Sequence, residues 1–250
     1  SVLVRRLQRE GYSVLLPTRH LAAARDFRLL PSVHLVQADV NDQSTLNDLC
    51  SQVKPGGTVI NLVGVLHDRA AKPYGKVFER AHVLLPTHCI AAMKANGIKR
   101  YLHMSALGAD SHGPSMYQRS KGDGEAVVRA SGLDWTIFRP SVIFGQDDQF
   151  INLFANLAKV FPVIPLANSQ ALFQPVSVND VAAAFVAAIT MKQTIHQTYS
   201  LVGPEVLSMA ELVRFAALKA QTTTRIIPMP AIVGYLQALM FEFLPVPTLM

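Results

Sequence analysis

Short apolar runs alternate with longer stretches of helical period through the first 145 residues, and that alternation predicts a parallel α/β sheet flanked by helices. Residues 12–16, 33–38, 58–63, 100–104 and 135–138 are of strand length and carry branched and aromatic side chains. Between them, residues 2–10, 44–53, 78–96 and 117–130 show helical spacing, and Gly11, Gly97 and Gly132 stand just past three of these stretches as C-terminal caps. Pro86 falls inside the third helix, where a ring without an N–H predicts a kink or a later start. Beyond Gly145, residues 149–160 read as an amphipathic helix, 173–178 as a strand and 180–189 as an Ala-rich helix returning to the core. Ser208 with Glu211 forms a capping box for a helix through Ala220.

Composition narrows the class. Half of the 250 residues are apolar and 16% are charged, which excludes a disordered chain and suffices for one large core or a core with a smaller lobe. Cys50 and Cys89 form neither a disulfide framework nor a metal quartet, so a reducing compartment is the simpler reading. The Asp147-Asp148 doublet supplies too few ligands for a metal site and reads as a solvated loop. A net charge of +6 suits an anionic cofactor or acidic lipid. The basic residues are scattered, without a stripe or an RNA-binding motif, which argues against nucleic acid.

Candidate chemistry centres on Tyr117 and Lys121, four residues apart and therefore on one helical face, with Ser105 upstream at the end of a strand. An ammonium beside a phenol favours the phenolate, and a serine could hold a carbonyl oxygen beside it. Such a trio moves a proton while a hydride moves elsewhere. A chance Tyr-x-x-x-Lys is the competing reading. His82 and His103, with no partner visible in sequence, read as structural.

Asn61-Leu-Val-Gly64, His103-Met-Ser-Ala-Leu-Gly-Ala-Asp110, Tyr117-Gln-Arg-Ser-Lys121, Arg139-Pro-Ser-Val-Ile-Phe-Gly145, Phe173-Gln-Pro-Val-Ser-Val-Asn-Asp-Val181 and Gly203-Pro-Glu-Val206 follow one another along the chain. Together they resemble an extended, atypical short-chain dehydrogenase/reductase, of the epimerase/dehydratase-like kind. The resemblance is closest to the group holding the nucleotide-binding accessory subunit of mitochondrial complex I and its bacterial relatives. It implies a doubly wound Rossmann domain over residues 1–145 and a smaller substrate or partner lobe over 146–250, with about 173–190 packing back on the core. The family opens on a strand and a Gly-rich turn that receives the pyrophosphate at a helix N-terminus. Neither precedes the first helix here, so the chain reads as an incomplete copy of a longer protein, and residues 1–250 are expected to bind dinucleotide more weakly than the longer protein.

The resemblance also assigns roles. Tyr117 becomes the acid/base, Lys121 lowers its pKa and holds ribose, and Ser105 orients the carbonyl. After the first strand the chain reads Thr18-Arg19-His20 with no acid until Asp26, which favours NADP(H) through Arg19 while leaving NAD(H) possible. A solvated Arg on an ordinary loop is the alternative. Asp39 and Val40 fall where such folds meet adenine. Asn61, Leu62, Val63 and Gly64 would pass beneath the nicotinamide ribose, and Pro140 and Ile143 would cover the carboxamide. Phe144, Phe150, Phe154, Leu172 and Phe173 are available to wall an apolar substrate cavity, with core packing as the competing reading. Residues 226–250 carry Glu242 as their only charge, and the helical part, 231–244, is too short to span a bilayer. It is buried, docked on a partner such as a respiratory complex, or laid on a membrane. Two functions stay open: an NADP(H)-dependent oxidoreductase or epimerase acting on a carbonyl or sugar-nucleotide-like substrate, or a non-catalytic nucleotide-binding subunit of respiratory complex I. The corresponding locations are bacterial cytoplasm or mitochondrial matrix, with a peripheral place on the inner membrane.

Overall fold

The computed structural model describes residues 1–146, 148 and 150–229. It contains two units: Ser1–Ser141 with Val178–Leu201, and Val142–Ser177 with the described residues from Val202 onward.

In the first unit, β3 (Thr58–Asn61), β4 (Arg100–Met104), β5 (Asp134–Pro140) and β10 (Gln197–Leu201) form a parallel sheet in the order β10-β5-β4-β3. A second parallel pair joins β1 (Val14–Thr18) to β2 (Val33–Gln37). Among the described residues, no strand bonds to the other edge of β1 or of β3. One face of the larger sheet is covered by α2 (Gln43–Ser51), α4 (Leu85–Ala95) and α5 (Met116–Arg129), whose Leu46, Ile90, Met93 and Val128 bury against Tyr101, Trp135 and Ile137. Ile137 faces that side, so the alternation of a strand turns Phe138 to the other, where its ring lies 4.4 Å from Phe185 on α7 (Val178–Thr190). Helix α1 (Val2–Arg9) packs against α7. Gly11, Gly97 and Gly132 all adopt positive φ, the left-handed geometry that ends α1, α4 and α5.

The third helix is interrupted, as Pro86 predicts. Its residues run from α3 (Lys76–Phe78) through a π-helical segment, Glu79–Leu84, into α4. Pro86 has no N–H to offer the carbonyl four residues back, that of His82; the turn before it is widened, and the regular α-helix resumes at Leu85 with the proline in its first turn, the later start expected of it.

In the second unit, α6 (Phe150–Val160) packs on α8 (Met209–Lys219) around Ala158, Ile164, Val213 and Ala217. Both members of the Ser208–Glu211 capping box are present. The strand expected over 173–178 is two short pieces in different pairings: β8 (Leu172–Phe173) pairs with β11 (Leu207–Ser208), and β9 (Val176–Ser177) pairs with β6 (Ile143–Phe144). The helix over 180–189 starts earlier, at Val178. Sequence pattern missed β7 (Val163–Ala167) and β12 (Arg225–Met229), which pair in parallel although each contains a proline. Asp147 and the segment 231–244 lie outside the described residues.

Candidate functional site

The parallel register aligns Asn61 with His103 and Met104 with Phe138, so the carboxyl ends of β3, β4 and β5 form one edge. The loops leaving that edge hold Asn61–Gly64, Ser105 and Pro140. In open α/β sheets this is where ligands bind. The ends of β1 and β2 supply Thr18-Arg19 and Asp39-Val40. Ile143 lies in the second unit, on β6.

Helix α5 is fixed at its start by a complete capping box, in which Ser115 Oγ accepts from the Gln118 amide and Gln118 reaches back to the Ser115 amide. One turn on, Tyr117 is half-buried and Lys121 is 4% exposed. Lys121 Nζ donates to the Met104 carbonyl at 3.3 Å and stands 6.0 Å from the centre of the Tyr117 ring. The chain thus brings the lysine beside the residue preceding Ser105. Ser105 is buried, and its Oγ has no hydrogen-bond partner among the described residues. A buried hydroxyl without a partner is costly, and a ligand oxygen would satisfy it.

The expected electrostatics are overturned. Burial pushes the Tyr117 phenol above its ordinary value, and Lys121 does not offset this. The lysine itself is pushed down to about 8, by burial first, with Glu125 opposing the shift. Both groups are removed from water together, and desolvation penalises each charged form. At neutral pH the phenol therefore keeps its proton.

The loop after β3 approaches this pair closely. A Cβ at Gly64 would lie 3.2 Å from Lys121 Nζ, so any larger residue presses on the ammonium. Leu62 and Val63 are 37% and 41% exposed, apolar residues facing outward on a loop. Asn61 is buried; its Oδ1 accepts from the Val63 amide at 3.0 Å and its Nδ2 donates to Tyr101 Oη at 3.2 Å. Pro140 ends β5 with its carbonyl accepting from the Leu107 amide.

At the end of β1, Arg19 is exposed. Asp39 is already engaged: Asn41 donates to it through both its backbone and its side-chain amide, and Arg80 stands 3.6 Å away. Asn41's bonds, with help from Arg80 and Arg19, hold the Asp39 carboxyl below the usual range. Val40 packs partly against the core.

Sequence reasoning missed the partners of these residues. His82 is buried, accepts from the Val65 amide at Nε2 (3.1 Å) and meets Ser120 Oγ at Nδ1 (2.8 Å). Glu125 is fully buried and takes a two-pronged pair from Arg139 at 2.7 and 2.6 Å, with Arg129 at 2.7 Å. The signal for the second was present, since Glu125 and Arg129 are four apart on a helix. Asp148 accepts from the Ile151 amide and so caps α6. No group of three or more His, Cys, Asp or Glu placed to hold a metal occurs among the described residues, and none of their helices is long and apolar enough to cross a membrane.

The family model described as the NAD dependent epimerase/dehydratase family matches residues 1–202. Subunit 9 of the NADH dehydrogenase [ubiquinone] 1 alpha subcomplex, mitochondrial, from Mus musculus is 31% identical over 237 residues, 91% of this chain and 59% of that protein. Its counterpart from Arabidopsis thaliana is 32% identical over 220 residues, 84% of this chain and 52% of that one. The chain spans a little over half the length of these relatives. Among solved structures, the UDP-glucose 4-epimerase of Thermus thermophilus in complex with NAD superposes with a TM-score of 0.76 at 17% identity, over 98% of this chain and 89% of that one. That likeness carries the fold, a Rossmann-type α/β domain with a parallel sheet.

Proposed function

The chain belongs to the NAD-dependent epimerase/dehydratase family, and on that premise we propose that its site binds a nicotinamide dinucleotide, NADP(H) in preference to NAD(H), and transfers a proton to a substrate carbonyl. The observation that carries the reading is the unsatisfied buried hydroxyl of Ser105, set one residue beyond the carbonyl that holds Lys121. The exposed Arg19 would take the additional phosphate of NADP(H). Asp39 and Val40 would meet the adenine, Asn61 to Gly64 the ribose, and the Pro140 backbone the carboxamide. When bound, the nicotinamide supplies the hydride. Ser105 donates a hydrogen bond to the carbonyl oxygen, and Tyr117, protonated at neutral pH, gives that oxygen its proton. Lys121 supports the phenolate that remains and holds the ribose.

A second reading has its own observation. The relatives from Mus musculus and Arabidopsis thaliana, which match 91% and 84% of the chain, are named as subunits of NADH dehydrogenase [ubiquinone], which favours a nucleotide-binding accessory subunit in which the dinucleotide is held and turns over little. Mitochondrial matrix, or the matching face of a bacterial inner membrane, would follow.

Equilibrium titration with NADPH and NADH, followed by a panel of carbonyls and sugar nucleotides, tests the proposal. Tighter NADPH binding that falls roughly tenfold or more in Arg19→Ala, with NADH unchanged, supports the phosphate contact. Equal affinities before and after that substitution defeat it. Binding without turnover, with co-purification in a respiratory complex, favours the subunit.

A further inference from the structure

The loop that leaves β3 is tied at two amides, and the two ties lead to different places. The Val63 amide donates to Asn61, whose side chain passes the connection to Tyr101 and, across 3.4 Å, to His103; these all belong to the sheet and its edge. The Val65 amide donates to His82 Nε2, and that tie crosses to helix α5. A backbone N–H can only donate, so Nε2 accepts and the neutral ring carries its proton on Nδ1. Nδ1–H then donates to Ser120 Oγ, whose own proton goes to the Tyr117 carbonyl at 3.0 Å. Every partner in this chain is used once, with its polarity fixed.

We propose that His82 is the positioning residue of this site, a strut that holds the β3 loop in register with the helix carrying Tyr117 and Lys121. The inference rests on the dinucleotide reading above and deepens it. Its ring is wedged between Phe78, stacked at 5.3 Å, and the Tyr117 ring, met edge-on at 5.6 Å and 86°, so it also walls the phenol from water. Gly64 brings the loop against the same side: a Cβ there would be 3.8 Å from His82 Nε2 as well as close to Lys121. Burial, with Lys121 nearby, pushes the imidazole down to about 3, so it stays neutral at working pH and serves as a spacer rather than an acid or base. The widened helical turn that carries it lies just before Pro86. Helix α5 can approach this turn because position 124 is glycine, where a Cβ would run into the His82 carbonyl oxygen.

The test uses His82→Ala, His82→Asn and Ser120→Ala in the full chain with three readouts: hydrogen exchange at the Val65 amide, titration of the Tyr117 phenol by difference from Tyr117→Phe, and affinity for NADPH. In His82→Ala, Val65 exchange should accelerate about tenfold or more, the phenol should titrate lower as water reaches it, and NADPH should bind more weakly. His82→Asn, which can accept from one amide and donate to one hydroxyl, should restore part of the Val65 protection. Ser120→Ala removes only a hydroxyl and should shift the phenol titration while Val65 stays protected. A phenol titration unmoved in Ser120→Ala, or a protected Val65 in His82→Ala, overturns the proposal, and the first decides even if His82→Ala does not fold. A wild-type protein that binds no NADPH contradicts the dinucleotide reading alone, because exchange and titration need no ligand.

Discussion

Lys121 illustrates how a residue can be legible while its energetics are not. The four-residue spacing placed it on the face of Tyr117, and the structure keeps both there, yet it reverses the expected effect because both groups are desolvated. Spacing reports direction along a helix; burial depends on Gly64, Met104 and His82, which arrive from elsewhere in the chain. The consequence is measurable. The folded lysine titrates near 8, below the unfolded value of about 10.4. Between those pH values the unfolded chain holds a proton the folded one has lost, so this group's contribution to stability rises with pH, and below 8 it costs about 3 kcal/mol. Lys121→Met should therefore melt higher than wild type at pH 7, with the difference closing toward pH 10.5. A variant that melts lower at pH 7 would contradict the assignment of a desolvated ammonium.

At the level of elements, strand and helix positions through residue 140 followed from period and glycine caps, because those signals are local. Long-range partners were not visible. Edge strand β10 is exposed at Gln197 to Ser200 and lacks an apolar pattern, and β7 and β12 are interrupted by Pro165 and Pro228. Helix α5 depends on two such partners. Its Gly124 admits the widened turn at His82, so Gly124→Ala should lower the melting temperature, the clash of roughly 1–3 kcal/mol exceeding the helix-propensity gain. An unchanged or raised melting temperature would show that the helices can part at no cost. Glu125 joins α5 to β5 through Arg139. Glu125→Ala leaves the part-exposed Arg139 without its carboxylate and should cost about 1.5–3 kcal/mol in denaturant unfolding. A loss under 1 kcal/mol would mean that water replaces the carboxylate.

For the whole molecule, the resemblance read from six scattered segments agrees with the family match over residues 1–202. The candidate residues Asn61, Ser105 and Pro140 stand at the carboxyl ends of three parallel strands in register, and Thr18-Arg19 and Asp39-Val40 at the ends of a separate parallel pair. The net charge of +6 belongs to this scale too. It should draw a dinucleotide phosphate inward, so NADPH association should slow as salt rises from about 0.05 to 0.5 M, and more than NADH association does. Indifference to salt would remove the electrostatic role. The proton-transfer claim is tested most directly by NADPH oxidation against a carbonyl and sugar-nucleotide panel, run side by side for wild type and Tyr117→Phe at matched NADPH occupancy. The account predicts turnover in the wild type that drops roughly 10²–10⁴-fold in the variant with NADPH affinity nearly unchanged. Turnover that survives Tyr117→Phe, or a wild type that holds NADPH and never turns over, would contradict it.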